Sequence, residues 1–206
     1  MNIAIQSVDK SILSRIYGHG RGWVFTPAFF LDLGSRDAID STLKRLRVAG
    51  TIRRLAAGLY DYPAHHATLG VLTPTADAIA KALAGRDAAR IQPTGAYAAN
   101  RLGLSDQVPM TVVFQTDGMT RNVHVGKQQI ILKRTTPKNM ATSGKVSGLV
   151  IQALRHLGQR YVNDMVISRL RQRLSDDDKQ QLIRDLVFAP AWVADVMRQI
   201  ASSGKV

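Results

Sequence analysis

Apolar residues in this chain recur first at a helical period and then at an extended one, and the alternation marks out its elements. In residues 7–17, Val8, Ile12, Leu13 and Ile16 form one stripe, the pattern of a helix that buries one side. Ser7 or Asp9 stands where a cap belongs. Gly18-His19-Gly20-Arg21-Gly22 has neither a Lys-Ser/Thr ending nor a clear strand before it, so it reads as a turn and not as a phosphate cradle. Trp23–Phe25 is a short extended piece. Thr26-Pro27 opens a second helix, with Thr as cap and Pro at the first helical position, and Phe29, Phe30 and Leu33 give it an inner face.

The pattern is clearest from Ser35 to Tyr62. Ser35 caps a third helix in which Ile39, Leu43 and Leu46 share a face. At about 100° per residue, Asp37, Ser41, Lys44 and Val48 lie roughly opposite, flanked by Arg45 and Arg47. Gly50 ends the helix. Thr51–Ala56 and Leu59–Tyr62 then form a basic hairpin around Ala57-Gly58, and Pro63, which has no N–H to donate, stops the pairing.

A second set of elements follows a link containing His65 and His66. Pro74–Ala84 is a helix with Ile79, Ala82 and Leu83 inward, Arg90–Pro93 a short strand, and Thr94–Leu102 a compact helix. Pro109–Thr116 is β-branched and apolar, and Asp117-Gly118 makes a hairpin turn into Arg121–Val125. Gly126-Lys127 turns the chain again into Gln129–Arg134. Residues 135–143 are polar and loosely patterned, hence a loop. The last quarter is helical: Val146–Leu157, Asn163–Leu174, a helix opened by Ser175, and Pro190 to about Ala201, before a frayed tail. The spacing thus predicts an α+β chain: an N-terminal winged helix-turn-helix over residues 1–66, then a mixed α/β domain over 67–206 with a small antiparallel sheet and C-terminal helices.

Charge sharpens this picture. The 206 residues carry a formal net charge of +13, which favours a polyanionic partner, nucleic acid above all. The excess is spread along the chain, with 9 basic against 5 acidic residues in 1–66, 10 against 4 in 67–150, and 9 against 6 in 151–206. A slim basic helix suits the major groove of double-stranded DNA, and a basic hairpin suits its phosphates. Arg36, Ser41, Lys44, Arg45 and Arg47 on the helix, with Arg53 and Arg54 on the hairpin, are therefore the candidate DNA-binding residues. Lys127, Lys133, Arg134, Lys138 and Lys145 form a possible second basic patch.

Other chemistry finds little support. With no cysteine, disulfides, Cys-ligated zinc and thiol catalysis are excluded. His19, His65, His66, His124 and His156 are scattered without ligand spacing. Asp176, Asp177 and Asp178 suggest a metal, but acidic residues behind a capping serine also complement the helix dipole, and that reading is preferred. No nucleophile has a sequence-visible base partner. We therefore expect no enzyme, no metal and no cofactor. The start of the chain lacks the pattern of a signal peptide and no run approaches the length of a membrane span, so a cytoplasmic location is expected.

One resemblance adds to this reading. The segment TPAFFLDLGSRDAIDSTLKRLRVAGTIRRLAAGLYDYP resembles the winged helix of AbiEi-type antitoxins, regulators in bacterial abortive-infection (phage-defence) toxin–antitoxin systems. IQPTGAYAANRLGLSDQVPMTVVFQTDG is similar to the antitoxin domain of the same group. Together the likeness runs from about Phe25 to about Gly158. It implies a repressor that binds inverted repeats in its own promoter and counters a nucleotidyltransferase-like toxin. It also implies Arg36, Ser41, Lys44 and Arg45 on the recognition helix and Arg53 and Arg54 on the wing. Ala56-Ala57 stands where the family often has a basic residue, which implies thinner wing contact. A stand-alone winged-helix regulator and a pure protein-binding module are the alternatives.

Overall fold

The computed structural model describes residues 2–85 and 89–202, with side chains from residue 8 onward. The described residues form a mixed α+β chain of eight α-helices and nine short strands. It divides into two compact units, residues 1–89 with 123–127 and residues 90–122 with 128–206. The boundary read from the sequence, between residues 66 and 67, falls inside the first unit, because the helix beginning at Ala76 packs against the strand at Val24–Phe25.

In the first unit, α1 (Asn2–His19) runs longer than its apolar stripe suggested. Asp9 consequently lies within the helix and not at its cap, while the side chain of Ser7, the other candidate, is outside the described residues. After β1 (Val24–Phe25), the expected second α-helix is a single 3-10 turn, Pro27–Phe30, and Thr26 makes no side-chain capping bond. Few residues lie between Pro27 and Gly34, too few to repay helix nucleation. What shapes the segment is aromatic packing, with Phe30 set edge-on to Phe25 and Phe29 edge-on to Trp23.

The third predicted helix forms as read. In α2 (Arg36–Val48) the Ser35 hydroxyl accepts the backbone N–H of Ala38 at 3.3 Å, and Ile39, Thr42 and Leu43 are buried. Gly50, at φ +73°, then takes the left-handed turn that an L side chain resists. β2 (Arg53–Ala56) and β3 (Leu59–Asp61) follow, and β3 is central in a three-stranded sheet ordered β1-β3-β2. Ile12, Ile16, Phe25, Phe30, Ile39, Leu43 and Ile52 close the core beneath. Where a plain link was expected, β4 (His65–His66) and β5 (Gly70–Val71) pair as a small ribbon before α3 (Ala76–Ala84).

The second sheet departs from the predicted topology. β6 (Ile91–Pro93), α4 (Gly95–Arg101), β7 (Thr111–Thr116), β8 (Arg121–Val125) and β9 (Gln128–Arg134) give a sheet ordered β6-β7-β9-β8. β7 and β9 are parallel, from Thr111↔Gln129 to Thr116↔Arg134. The sheet is thus not wholly antiparallel, and Asp117-Gly118 does not fold β7 back onto β8. Two causes combine. Val112, Phe114, Ile130 and Leu132 are all buried, which favours placing β7 and β9 side by side in the sheet interior. The Asp117 carboxylate, meanwhile, accepts both the backbone N–H and the Nε–H of Arg90 at 2.8 Å, bonds that hold its pKa below the ordinary value.

The expected loop 135–143 contains a 3-10 turn, Pro137–Met140, that buries Met140. α5 (Val146–Leu157), α6 (Asp164–Arg173), α7 (Asp176–Arg184) and α8 (Ala191–Ala201) complete the chain and share a core with α4. Ser175 caps α7 as read from the sequence, and it forms a reciprocal capping box with Asp178 that the sequence reading did not name, with Asp176, Asp177 and Asp178 all in the first turn. The expected fray beyond Ser202 lies outside the described residues. Among the described residues no helix is long and apolar enough to cross a membrane.

Candidate nucleic-acid interface

The geometry of α2 follows from its period. Ile39, Thr42, Leu43 and Leu46 face α1 and the core, so the opposite side carries Asp37, Ser41, Lys44 and Val48, all exposed. Among the described residues, the side chains of Ser41 and Lys44 have no hydrogen-bonding or ionic partner, and neither has that of Arg47 on the flank. The other candidate cations on this helix are occupied. Arg36 is bound to Asp40 at 2.8 Å, one helical turn on. Arg45 reaches across to α1 and donates to both carboxylate oxygens of Asp9, at 2.6 and 2.8 Å. The Thr42 hydroxyl lies within donating reach of the same carboxylate and of the Ala38 carbonyl, and its one proton serves one or the other. Arg45 is therefore a clasp between the two helices, though half of its side chain remains in solvent.

The hairpin separates its two arginines. Arg53 stands directly across from Asp61 on β3 and meets its carboxylate at 2.6 and 3.1 Å, while donating to the Leu72 carbonyl at 2.9 Å. Only 1% of the Asp61 side chain is exposed, so Arg53 is tied to a buried charge and its duty is structural. Arg54 is exposed and, among the described residues, its side chain donates only to the nearby Ala56 carbonyl. Arg21 lies over the Tyr62 ring, 4.8 Å from its centre, and His19 stacks on Trp23 at 3.9 Å.

The second basic patch is thinned in the same way. Lys133, Arg134 and Lys138 are exposed, and their side chains have no partner among the described residues. Lys145 instead pairs with Asp185 at 3.2 Å. That carboxylate is buried, and also accepts Ser147 at 2.5 Å and Gln181 at 2.7 Å. Burial alone would raise its pKa, but the three donors outweigh burial and hold it below the usual value. Lys127 is exposed in the turn before β9 and belongs to the first unit.

What sequence reading passed over is the set of aspartates that occupy arginines: Asp9, Asp40 and Asp61. Only the Arg36–Asp40 pair, four residues apart on one helix, carries a local signal. Among the described residues no group of three His, Cys, Asp or Glu is placed to hold a metal ion.

Residues 11–182 match the model of a family of unknown function, DUF6088. The chain belongs to the DUF6088 family. The match takes in residues of both units and continues past Gly158 through α6 into α7, farther than the motifs quoted from the sequence. No curated protein and no solved structure matches the chain. For this DUF6088 chain the arrangement on α2 has definite chemical capacity. A ridge offering a carboxylate, a hydroxyl, an ammonium and an isopropyl group can meet the donors, acceptors and methyl groups on base edges. The flanking Arg47 and Arg54 can meet phosphates.

Proposed function

We propose that this DUF6088 protein is a DNA-binding transcriptional regulator whose N-terminal segment works as a winged helix-turn-helix, with α2 in the major groove and the β2–β3 hairpin as its wing. The observation that carries the reading is the exposed ridge Ser41-Lys44-Val48 on the side of α2 away from the core, next to a paired basic hairpin. The net charge of +13 supports it, since phosphate neutralisation supplies most non-specific affinity. Following the resemblance to AbiEi-type antitoxins, we propose further that it represses its own operon and counters a nucleotidyltransferase-like toxin encoded beside it. The exposed apolar side chains Tyr161, Met165 and Val187 in the second unit would give such a protein partner something to bury. No catalytic step is part of this reading.

The test is a gel shift with the duplex upstream of the protein's own gene. Lys44→Ala combined with Arg47→Ala should weaken binding by about tenfold or more, with an unchanged circular dichroism spectrum. Arg53 is unsuitable for this purpose, since its removal strands the Asp61 charge. Undiminished binding by the double variant overturns the residue assignment, and absence of binding by the wild-type protein overturns the function. Co-expression with the neighbouring gene product tests the antitoxin role, and failure to restore growth overturns it.

A further inference from the structure

The ion pairs of α2 determine what is left to read bases, and the remainder is chemically specific. Arg36 is neutralised by Asp40 and Arg45 by Asp9. Neither arginine is presented as the free bidentate fork that most often reads guanine. At about 100° per residue, Asp37, Ser41, Lys44 and Val48 fall within about 60° of one another, in the middle of the exposed face. Val48 is 77% exposed. An isolated exposed apolar side chain is ordinary on a protein surface. Val48 is different in its position, in line with Lys44 on the ridge, where Ser41, Lys44, Arg45, Val48 and Ala49 border one open hollow.

Resting on the DNA-binding reading above, we propose that Lys44 and Val48 set the base preference of this protein: Lys44 reads the O6/N7 acceptors of a guanine, and Val48 packs on the C5 methyl of a thymine. Four residues of helix separate them, about 6 Å along its axis, so the two bases lie at most about two steps apart. The occupant is duplex DNA and not an apolar protein surface. The ridge mixes Asp37, Ser41 and Lys44 with its single isopropyl group, and Arg47 stands exposed beside it, its side chain unpaired among the described residues. Asp37, in the first turn of α2, complements the helix dipole. It also disfavours phosphate at that point, which suits a ridge facing base edges and not the backbone. Ser41 can serve either as donor or acceptor and adds little discrimination.

The experiment starts from duplexes selected by the full-length protein from a randomised pool. The expected motif holds a guanine and a thymine within about two steps. Replacing that thymine by uracil removes only the methyl group and should weaken wild-type binding about fourfold, the value of one buried methyl-sized group. Val48→Ala, which withdraws the branch methyls and keeps only Cβ, should reduce the preference for thymine over uracil, whereas Val48→Thr, which keeps a branch methyl, should retain more of it. Lys44→Ala should lose the preference at the guanine about fivefold or more. Selected duplexes whose affinity is unchanged by every thymine-to-uracil replacement overturn the assignment while leaving DNA binding intact. Failure to enrich any duplex overturns the DNA-binding reading itself.

Discussion

Arg53 and Arg54 are adjacent in sequence, yet one supports the fold and the other meets solvent. The difference comes from a single bulge. Ala56 opposes Leu59 across the turn, and continuing that register would set Arg54 against Asp61. The register shifts between Arg54 and Ala56, so that Arg53 faces Asp61 and Arg54 faces Tyr60. A one-residue slip exchanges the two faces of a strand. Truncating Arg53 leaves the buried Asp61 charge unpaired, which should cost about 2–4 kcal/mol, less than a fully buried pair because Arg53 is one-third exposed. Arg54→Ala should stay within about 0.5 kcal/mol. Urea denaturation of the two variants checks this, and equal losses would refute the division of roles. All fifteen acidic residues of the chain are aspartates. Their short side chains leave arginine to supply most of the reach, as in Arg45–Asp9, Arg53–Asp61 and Arg90–Asp117.

At the scale of elements, Asp185 ties the end of α7 to the start of α5. Lys145 precedes α5 and Ser147 lies in its first turn, and both donate to the Asp185 carboxylate. Gln181, one turn back on α7, donates as well. The pKa of Asp185 is lowered in the folded protein. Its contribution to stability is therefore complete above the unfolded carboxylate value of about 3.9 and is lost as pH falls through the lower folded value. The melting temperature should drop steeply below about pH 4. Asp185→Asn should lower stability at neutral pH by about 2–4 kcal/mol, allowing for the partly exposed lysine, and should flatten that acid limb. Thermal melts from pH 3 to 7 decide it. A variant with the same acid limb as the wild type would remove Asp185 from the account.

Across the whole molecule, positive charge is shared between the two units, and this has a measurable consequence. If Lys133, Arg134 and Lys138 bind phosphates as the proposed second patch, replacing all three by alanine lowers the steepness of the log affinity–log salt plot. The expected change is about 0.9 for each phosphate no longer neutralised, at most near 3. Lys145, held by Asp185, is left out of the set. A salt slope equal to that of the wild type would assign this patch to something other than DNA. The division into units also refines the boundary: α3 looks in the sequence like the start of a second domain, but its buried face, including Ala76, Ile79 and Ala80, completes the first.

What the sequence alone determined was local. The stripe Ile39-Leu43-Leu46, the Ser35 cap, Gly50, and the Ala57-Gly58 turn define α2 and its hairpin, because periodicity and capping act within a few residues. The Ser175 cap, the helix Val146–Leu157 and the strand of β9 were legible for the same reason. The tertiary structure decided what depends on residues distant in the chain. Examples are the reduction of the second helix to a 3-10 turn under aromatic packing, the parallel pairing of β7 with β9, and the α3 packing that moved the boundary. It also decided which basic side chains remain available. Asp9 engages Arg45 from 36 residues away and Asp185 engages Lys145 from 40. An ion pair of that span depends on where two elements are brought together, a relation that no local pattern of residues encodes.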